Sequence, residues 1–397
     1  MTAPERRASL SLAAIFALRM LGLFLVLPVF ALEARKYPGG DDPALVGLAM
    51  GIYGLTQAFL QMPFGLASDR LGRKRVIVAG LLVFALGSFV AAAADSLTGL
   101  LAGRALQGAG AVSAAVTALL ADLTRDSVRT KAMALVGGSI GLMFALALVI
   151  APPLAAHTGL AGLFALTGTL ALAAIGLLLR VVPPEPPRHQ NAPRGRIRDV
   201  LAHADLLRLN AGVFVLHTVQ MAMWVAVPAL LVQAGLAKDR HWEIYLPAVL
   251  ASFVVMGALL FPLERRGYLR AALRGAVVLM LLVQIGLALV AGRGAGDAAL
   301  WPLAGLLFLF FCAFNTLEAS QPSLVSKLAP APLRGAALGL YNTLQSLGLF
   351  AGGALGGLVV KTAGAPTLFA GTLLLCVLWL AITWGLRPLM AGKPGGH

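Results

Sequence analysis

Apolar runs of about 20 residues dominate the chain, and short segments between them carry most of its charges. A helix needs about 20 such residues to cross the hydrocarbon layer of a bilayer. Twelve runs can be placed, near residues 12–32, 44–66, 76–95, 97–121, 131–156, 160–182, 208–234, 244–263, 271–291, 299–325, 334–360 and 366–386. They are too long for transmembrane β-strands and do not alternate polar with apolar residues. The pattern therefore predicts an all-α integral membrane protein with twelve transmembrane helices.

Composition and charge agree with this prediction. The chain is 59% hydrophobic and 12% charged, whereas soluble domains are about one quarter charged. If the N-terminus is cytoplasmic, 23 of the 31 Lys and Arg lie on the cytoplasmic side and two lie inside helices. Six lie opposite, namely Arg35, Lys36, Lys238, Arg240, Arg293 and Lys361. The positive-inside rule then places both termini in the cytoplasm of an inner-membrane protein. The net charge of +15 indicates orientation, not nucleic-acid binding.

The longest polar stretch divides the chain into two sets of six runs. Residues 183–207 are rich in proline and basic residues and predict a cytoplasmic linker between bundles at 1–182 and 208–397. The halves repeat in order: Pro28 corresponds to Pro228, and charged loops follow at matching helix ends. Two pseudo-symmetric six-helix bundles related by an axis along the membrane normal are a transporter architecture.

A charged stretch of eleven residues, 65–75, joins the second and third runs. One acid, Asp69, stands among the cations Arg70, Arg73, Lys74 and Arg75, between Gly65 and Gly72. Glycine permits a tight turn or the close approach of a neighbouring helix. An Asp near the headgroups needs compensation by cations or a helix N-terminus. The stretch predicts a joint between moving parts, or else a basic loop that only fixes orientation.

Two motifs carry a family resemblance. The pattern Gly65-x-x-x-Asp69-Arg70-x-Gly72-Arg73-Lys74 resembles the loop between helices two and three of the major facilitator superfamily. The pattern Arg104-x-x-Gln107-Gly108-x-Gly110 resembles the superfamily's helix-four motif, and segments starting at Arg19, Gly51 and Gly103 are similar to its bacterial YajR-type and drug:proton antiporter group. Helix five matches the antiporters' Gly-Pro motif only in part, because Ala151 replaces the glycine before Pro152.

The resemblance implies a cytoplasmic gate that locks the two bundles in an outward-open state. Its residues would be Gly65, Asp69, Arg70, Gly72, Arg73, Lys74, Asp122 and Arg129, with Arg334 opposite.

Four ionisable residues lie inside apolar runs: Arg19, Arg104, His217 and Glu318. Intramembrane charge costs roughly 2.5–3.5 kcal/mol and points to function. The four belong to the first, fourth, seventh and tenth runs, which line the central cavity in the resembled superfamily. Glu318 is the first candidate for a proton carrier, since burial and a moving Arg would shift its titration in opposite directions. His217 is the second, because imidazole titrates near neutral pH.

Each of these residues also has a structural alternative. Glu318 could form a static ion pair with Arg19, and His217 could hydrogen-bond Gln220 for packing. Arg104 cannot release a proton; it would tune a nearby acid, attract an anionic substrate, or bind carbonyls of the first helix. Gln107, Gln220 and Asn315 are candidate substrate contacts or helix–helix hydrogen bonds.

The sequence contains no P-loop, metal-ligand spacing or catalytic constellation, so we expect neither an enzyme nor a cofactor. The prediction is a secondary active transporter, a proton-coupled exporter (antiporter) of small amphipathic molecules or drugs that works by alternating access. The alternatives are an uncoupled facilitator or exporter of sugars or other metabolites, and a binding sensor without flux. Its expected partners are a small-molecule substrate, protons and the lipid bilayer, with no nucleic acid, and we expect a monomer.

Overall fold

The computed structural model describes residues 1–185, 197–294, 296–330 and 333–386, and no β-strand occurs in these ranges. The helices are α1 (Ala3–Glu33), α2 (Pro43–Leu71), α3 (Arg73–Ala92), α4 (Leu97–Ala109), α5 (Ser113–Asp122), α6 (Asp126–Arg180), α7 (Ile197–Leu201), α8 (Ala204–Gln233), α9 (Trp242–Arg265), α10 (Leu269–Arg293), α11 (Leu300–Leu328) and α12 (Arg334–Trp384). The protein is thus an all-α integral membrane protein. Ten of its described helical segments are long and apolar enough to span a bilayer.

Local sequence explains where α2 begins and ends. The Asp42 side chain accepts a hydrogen bond from the Ala44 backbone N–H, and Pro43 occupies the first helical position. The helix ends at Gly72, whose φ of 115° lies outside the range that other residues readily adopt. A single glycine therefore joins α2 to α3, as the turn predicted at this position requires.

Helix α6 has 55 residues, about 80 Å at 1.5 Å per residue, and is too long for one crossing. Gly159 breaks its helical geometry, with φ 64° and ψ −167°. On one side of this glycine, the Ser139 hydroxyl donates to the Ala13 carbonyl at 3.3 Å. On the other side, Arg7 Nε donates to the Val181 carbonyl at 2.9 Å. Both ends of α6 therefore lie beside the beginning of α1, so the chain reverses direction near Gly159.

Helix α12 reverses in the same way at Gly364, where φ is 79° and ψ is 173°. A Cβ added at Gly348 would lie 2.4 Å from the Phe214 carbonyl oxygen, and one added at Gly385 would lie 2.9 Å from the Arg208 guanidinium. Both partners belong to the first part of α8. These two reversals are what twelve crossings require, and we interpret α6 and α12 as two crossings each.

Among the described residues, two ion pairs connect the first half (residues 1–182) to the second (204–386). Lys238 Nζ lies 2.5 Å from Glu33 Oε1, and Lys361 Nζ lies 2.7 Å from Asp42 Oδ2. Glu33 is buried and Lys36 also contacts it. We call the end of the molecule that carries Glu33, Asp42, Lys238 and Lys361 the seam end.

Next to the seam end, α2 and α12 touch backbone to backbone. A Cβ at Gly47 would lie 2.2 Å from the Gly353 carbonyl oxygen, and one at Gly54 would lie 2.3 Å from the Ser346 carbonyl oxygen. Real Cβ atoms do not approach other atoms this closely, so both positions require glycine. Small residues at the contact allow two membrane helices to pack at short range.

The opposite end carries Asp69, Arg73 and Asp122, and we call it the signature end. A Cβ added at Gly137 or Gly138 of α6, or at Gly335 of α12, would meet nothing within 4 Å. These glycines have no protein neighbour, whereas the glycines of α2 next to the seam end are in close contact with α12.

We expect Gly47→Ala to lower thermal stability by about 1–3 kcal/mol, the usual cost of overpacking, because the new methyl collides with a carbonyl that cannot rotate away. The matched control is Gly371→Ala on the exposed face of α12, where an added Cβ meets nothing within 4 Å. This control should be neutral or stabilise by up to about 1 kcal/mol. Thermal unfolding of the purified protein in detergent measures both. Equal melting temperatures for the two variants would contradict the tight seam.

The Asp42–Lys361 pair predicts a pH response of the seam end. The hydrogen bond from Lys361 holds the pKa of the Asp42 carboxyl below its usual range. The pair's contribution is therefore complete above the ordinary Asp pKa of about 4 and is lost as the pH falls through the lowered value. Spin labels at positions 41 and 362 should show a growing separated population below about pH 4. In Asp42→Asn that population should no longer depend on pH, and a response like the wild type's would exclude this pair as its source.

Candidate functional site

Glu318 faces the interior of the molecule from the middle of α11. Leu309, nine residues earlier, is 37% exposed and marks the outward face of this helix. At 3.6 residues per turn, Glu318 points about half a turn away from Leu309. Its side chain is 39% exposed, and its polar contacts come from α8 and α12. The carboxylate is therefore partly desolvated and reachable, as a proton carrier requires.

His217 and Gln345 complete a polar cluster with Glu318. Gln345 Nε2 lies 2.7 Å from His217 Nε2 and 3.3 Å from Glu318 Oε1. His217 Nε2 is 3.4 Å from Glu318 Oε2, and the imidazole is only 4% exposed. Three helices thus bring one acid, one imidazole and one amide together. Sequence analysis did not single out Gln345; a lone glutamine in an apolar run is a weak signal unless its neighbours in space are known.

The cluster keeps unused hydrogen-bonding capacity. Within the described part of the chain, Glu318 Oε2 has no hydrogen-bond donor, and the buried Tyr341 hydroxyl has no partner. The Phe314 ring packs edge-on against His217 at 6.0 Å between centroids. A carboxylate oxygen 3.4 Å from the His217 ring therefore has the capacity to accept a proton or a polar group of a substrate.

Arg19 does not join this cluster, so the alternative of a static Arg19–Glu318 ion pair is wrong. Its Nη1 donates to Ser113 Oγ at 3.1 Å, and its Nη2 donates to the Tyr53 hydroxyl at 2.8 Å. The residue is 1% exposed. It lies on the face of α1 that packs into the first half, and this rotation about the helix axis could not be deduced from an apolar run.

Arg104 is also held inside the first half. Its Nη2 donates to the Met50 carbonyl at 3.1 Å, its Nε to the Ala49 carbonyl at 3.4 Å, and its Nη1 to Gln107 Oε1 at 3.0 Å. The guanidinium lies 5.0 Å from the centre of the Tyr53 ring. The expected carbonyl partners are therefore present, but they belong to α2 and not to the first helix.

The neutral candidates mostly serve contacts between helices. Gln107 Nε2 donates to Ser88 Oγ at 2.8 Å, and Asn315 Nδ2 donates to Ser252 Oγ at 2.8 Å. Gln220 is buried on α8, but His217 contacts Val213 and Gln345 instead of it. The suggested His217–Gln220 hydrogen bond is therefore wrong.

At the signature end, Arg73 joins the acids that the sequence placed in a gate. It forms an ion pair with Asp69, and its Nε lies 3.1 Å from Asp122 Oδ2. Its Nη1 also donates to Ser68 Oγ at 2.7 Å. A Cβ at Gly65 would lie 3.6 Å from the Ala114 side chain, an ordinary contact. The close approach expected at Gly65 is therefore absent in this conformation.

Glu185 is a further partner of this loop that sequence reasoning missed. Its carboxylate accepts from the backbone N–H groups of Arg73 at 3.1 Å and Lys74 at 2.5 Å. Lys74 Nζ donates to the Val182 carbonyl at 2.7 Å. A carboxylate at a helix N-terminus satisfies unpaired N–H groups and the positive end of the helix dipole. A glutamate in a proline-rich segment gave no sign that it reaches the start of α3.

The remaining gate candidates lie nearby or in the second half. Arg70 is exposed at the end of α2. Arg334 Nε donates to the Ser326 carbonyl at 3.0 Å, a contact within the second half. Arg129 belongs to α6, but its side chain lies outside the described residues.

Comparisons with known proteins agree on the family. The profile of the Major Facilitator Superfamily matches residues 12–353. The chain is 42% identical to the inner membrane transport protein YajR of Escherichia coli, over 96% of this chain and 84% of that protein. It is 29% identical to the multidrug resistance protein MdtH of Aeromonas hydrophila, over 85% of this chain and 82% of that protein.

A solved structure shows the same fold at low sequence identity. A bacterial homologue of the human lysosomal transporter Spinster, in an inward-facing and occupied conformation, superposes with a TM-score of 0.75 at 13% identity and 97% coverage of both chains. The profile match and the 42% identity, together with a helical membrane fold that shares this architecture, show that the chain belongs to the major facilitator superfamily of membrane transporters.

Proposed function

We propose that this transporter is a proton-coupled exporter of small amphipathic molecules and that Glu318 and His217 carry the proton. The observation that carries this proposal is the cluster of Glu318, Gln345 and His217, where a half-exposed carboxylate lies 3.4 Å from a buried imidazole. Both groups lie on helices that cross the membrane, where an ionisable side chain is costly unless it is used.

The orientation follows from charge. The signature end carries the excess of Lys and Arg and would face the cytoplasm, so both termini would be cytoplasmic in an inner membrane. The seam end would face the opposite compartment. Because the seam end is closed by helix contacts and ion pairs, we propose that this conformation is the one that accepts substrate from the cytoplasm.

A cluster of aromatic rings packs between the two halves of the molecule. Phe144 of α6 lies 5.1 Å from Phe24 of α1, 6.3 Å from Trp224 of α8 and 6.0 Å from Phe311 of α11, measured between ring centroids. These rings connect the two halves. The series continues from Phe311 through Phe310 to Phe314, which packs on His217 beside Glu318. We propose an amphipathic substrate because aromatic rings and a carboxylate lie next to each other here, and lipophilic molecules with a polar or cationic group match that combination.

In the proposed cycle, a substrate from the cytoplasm and a proton from the other side use the cluster in turn. Protonation neutralises Glu318 or charges His217, and either event changes the attraction between α8 and α11. Each proton that enters down a potential of 100 mV supplies about 2.3 kcal/mol. The signature loop would close the cytoplasmic side when Asp69, Arg73 and Asp122 meet α12 near Arg334.

An uncoupled facilitator or exporter of sugars or other metabolites is the second candidate. It is favoured by the hydrogen bonds that bind Gln345 to both ionisable groups, because such a network also serves as a static brace between helices. Flux measurements separate the two functions.

We expect Glu318→Gln to abolish substrate-dependent proton movement in proteoliposomes that are tested with lipophilic cations, anions and sugars. The amide keeps the size of the side chain but cannot take up a proton in this pH range. Glu243→Gln is the matched control, because Glu243 is paired with Arg240 at the seam end, away from the cluster. The control should retain wild-type proton flux.

Substrate flux without proton movement in the wild type, unchanged in Glu318→Gln, would contradict the coupled function. It would favour the facilitator instead.

We expect Asp69→Asn to slow transport about tenfold while the protein still folds, because it removes one charge-assisted hydrogen bond of the gate. Asp239→Asn, an exposed position in the turn Lys238–Arg240, should leave the rate unchanged. Initial rates of substrate uptake into vesicles, normalised to folded protein by size exclusion, measure the difference. Equal rates for both variants would indicate that the loop serves only to fix the orientation of the protein in the membrane.

A further inference from the structure

The hydrogen bonds of His217 determine which ring nitrogen carries the hydrogen in its neutral form. Nδ1 lies 3.0 Å from the Val213 carbonyl, which can only accept a hydrogen bond, so Nδ1 carries the hydrogen. Nε2 of the neutral ring is then a lone pair. The amide N–H of Gln345 donates to this lone pair at 2.7 Å. Neutral His217 is therefore fully satisfied by one carbonyl and one amide.

Protonation of His217 reverses the role of Nε2. The new N–H would point at the amide nitrogen of Gln345, so two donors would face each other. Two rearrangements relieve this conflict: the amide turns over to present its oxygen, or the imidazolium turns to Glu318 Oε2 at 3.4 Å. That oxygen has no hydrogen-bond donor among the described residues. A charge-assisted hydrogen bond to it would replace the one lost from Gln345.

Gln345 cannot simply withdraw from the cluster. The next residue, Ser346, packs its carbonyl against Gly54 of α2. A Cβ added at Gly348 would lie 2.4 Å from the Phe214 carbonyl and 3.1 Å from His217 Cβ, so α12 is also pressed against α8. The backbone of α12 next to Gln345 is therefore held by contacts with both halves.

From this geometry we infer that Gln345 is a positioning residue for the proton: its amide stabilises neutral His217 and directs the protonated ring to Glu318. This inference rests on the proposed function for the roles of His217 and Glu318. Gln345 carries no proton itself. It acts through His217, and it does so from the helix that forms the seam with α2.

Other charged and titratable groups near His217 leave this assignment unchanged. Glu318 from α11 lies beside it, and the buried Tyr341 of α12 lies near Glu318. Arg19 from α1 is committed to Ser113 and Tyr53. The ionisable residues at the start of α8, Asp205 and Arg208, pair with each other.

The test is nitrogen NMR of histidine-labelled protein in detergent, since the chain has six histidines and His217→Asn identifies the signal of His217. In Gln345→Met the amide donor is lost, so the ratio of protonated to neutral His217 at a fixed pH should rise about two- to tenfold, as expected for one hydrogen bond. In Gln345→Glu an acceptor replaces the donor, and the ratio should rise further. This order, Glu above Met above wild type, would not follow from a loss of packing.

Gln284→Met is the matched control, because Gln284 is a buried glutamine that accepts from Thr372 at 2.8 Å, away from the cluster. It should leave the His217 ratio at the wild-type value. An unchanged ratio in Gln345→Met and Gln345→Glu would overturn the inference. If Gln345→Met does not fold, the Gln345→Glu ratio decides alone.

Proton flux in proteoliposomes separates this inference from the function on which it rests. If the wild type shows no substrate-dependent proton movement, the proposed function fails, while the NMR ratios still decide the role of Gln345. If the wild type is coupled and the inference holds, the pH dependence of transport by Gln345→Met should move to higher pH by up to about one unit. If transport is coupled but the pH profile of this variant is unshifted, the inferred role of Gln345 is contradicted and the proposed function is not.

Discussion

The close contact between the glycines of α2 and α12 is the constraint on which the described conformation depends. Each contact places a Cα–H where any side chain would collide with a carbonyl, such as Gly47 against Gly353 and Gly54 against Ser346. In a bilayer, where no hydrophobic force drives helices together, such surfaces associate through van der Waals packing. The ion pairs of Glu33 and Asp42 then form at the rim of the closed seam. The proposed proton site lies next to this seam, because Gln345 directly precedes Ser346 along α12.

The ionisable side chains inside the two halves have different surroundings. In the first half, Arg19 and Arg104 are enclosed by hydroxyl groups, carbonyls and the Tyr53 ring, so their positive charge stabilises the packing of α1, α2 and α4. In the second half, Glu318 keeps an unused oxygen and partial exposure. A mobile proton needs a group whose two charge states are both attainable, and an enclosed guanidinium does not provide this. This asymmetry is the reason that we propose the proton-coupling site on α8, α11 and α12.

Much of the fold could be predicted, because bilayer thickness fixes the length of an apolar run and the positive-inside rule fixes where Lys and Arg lie along the chain. The apolar runs gave the helices, and Gly72 gave the turn between α2 and α3. At Gly159 and Gly364, only the length of the apolar stretch indicated that two crossings follow each other. The positive φ of these glycines explains why the helix reverses there. The loop motif brought Asp69, Arg73 and Asp122 together correctly. It gave no indication of Glu185. This residue caps the N-terminus of α3 from a segment more than 100 residues later, and such a contact produces no periodic pattern in the sequence.

The sequence by itself determined the class of the protein: a helical membrane chain of the major facilitator type, with four ionisable residues at membrane depth. The helical membrane class follows because transfer free energies depend on residue type and run length, and the family follows from the motifs that begin at Gly65 and Arg104. Only the tertiary structure decided which partners those residues have. Rotation of each helix about its axis is set by packing with neighbours. That rotation turned Arg19 toward Ser113 and Tyr53, and it left Glu318 to His217 and Gln345.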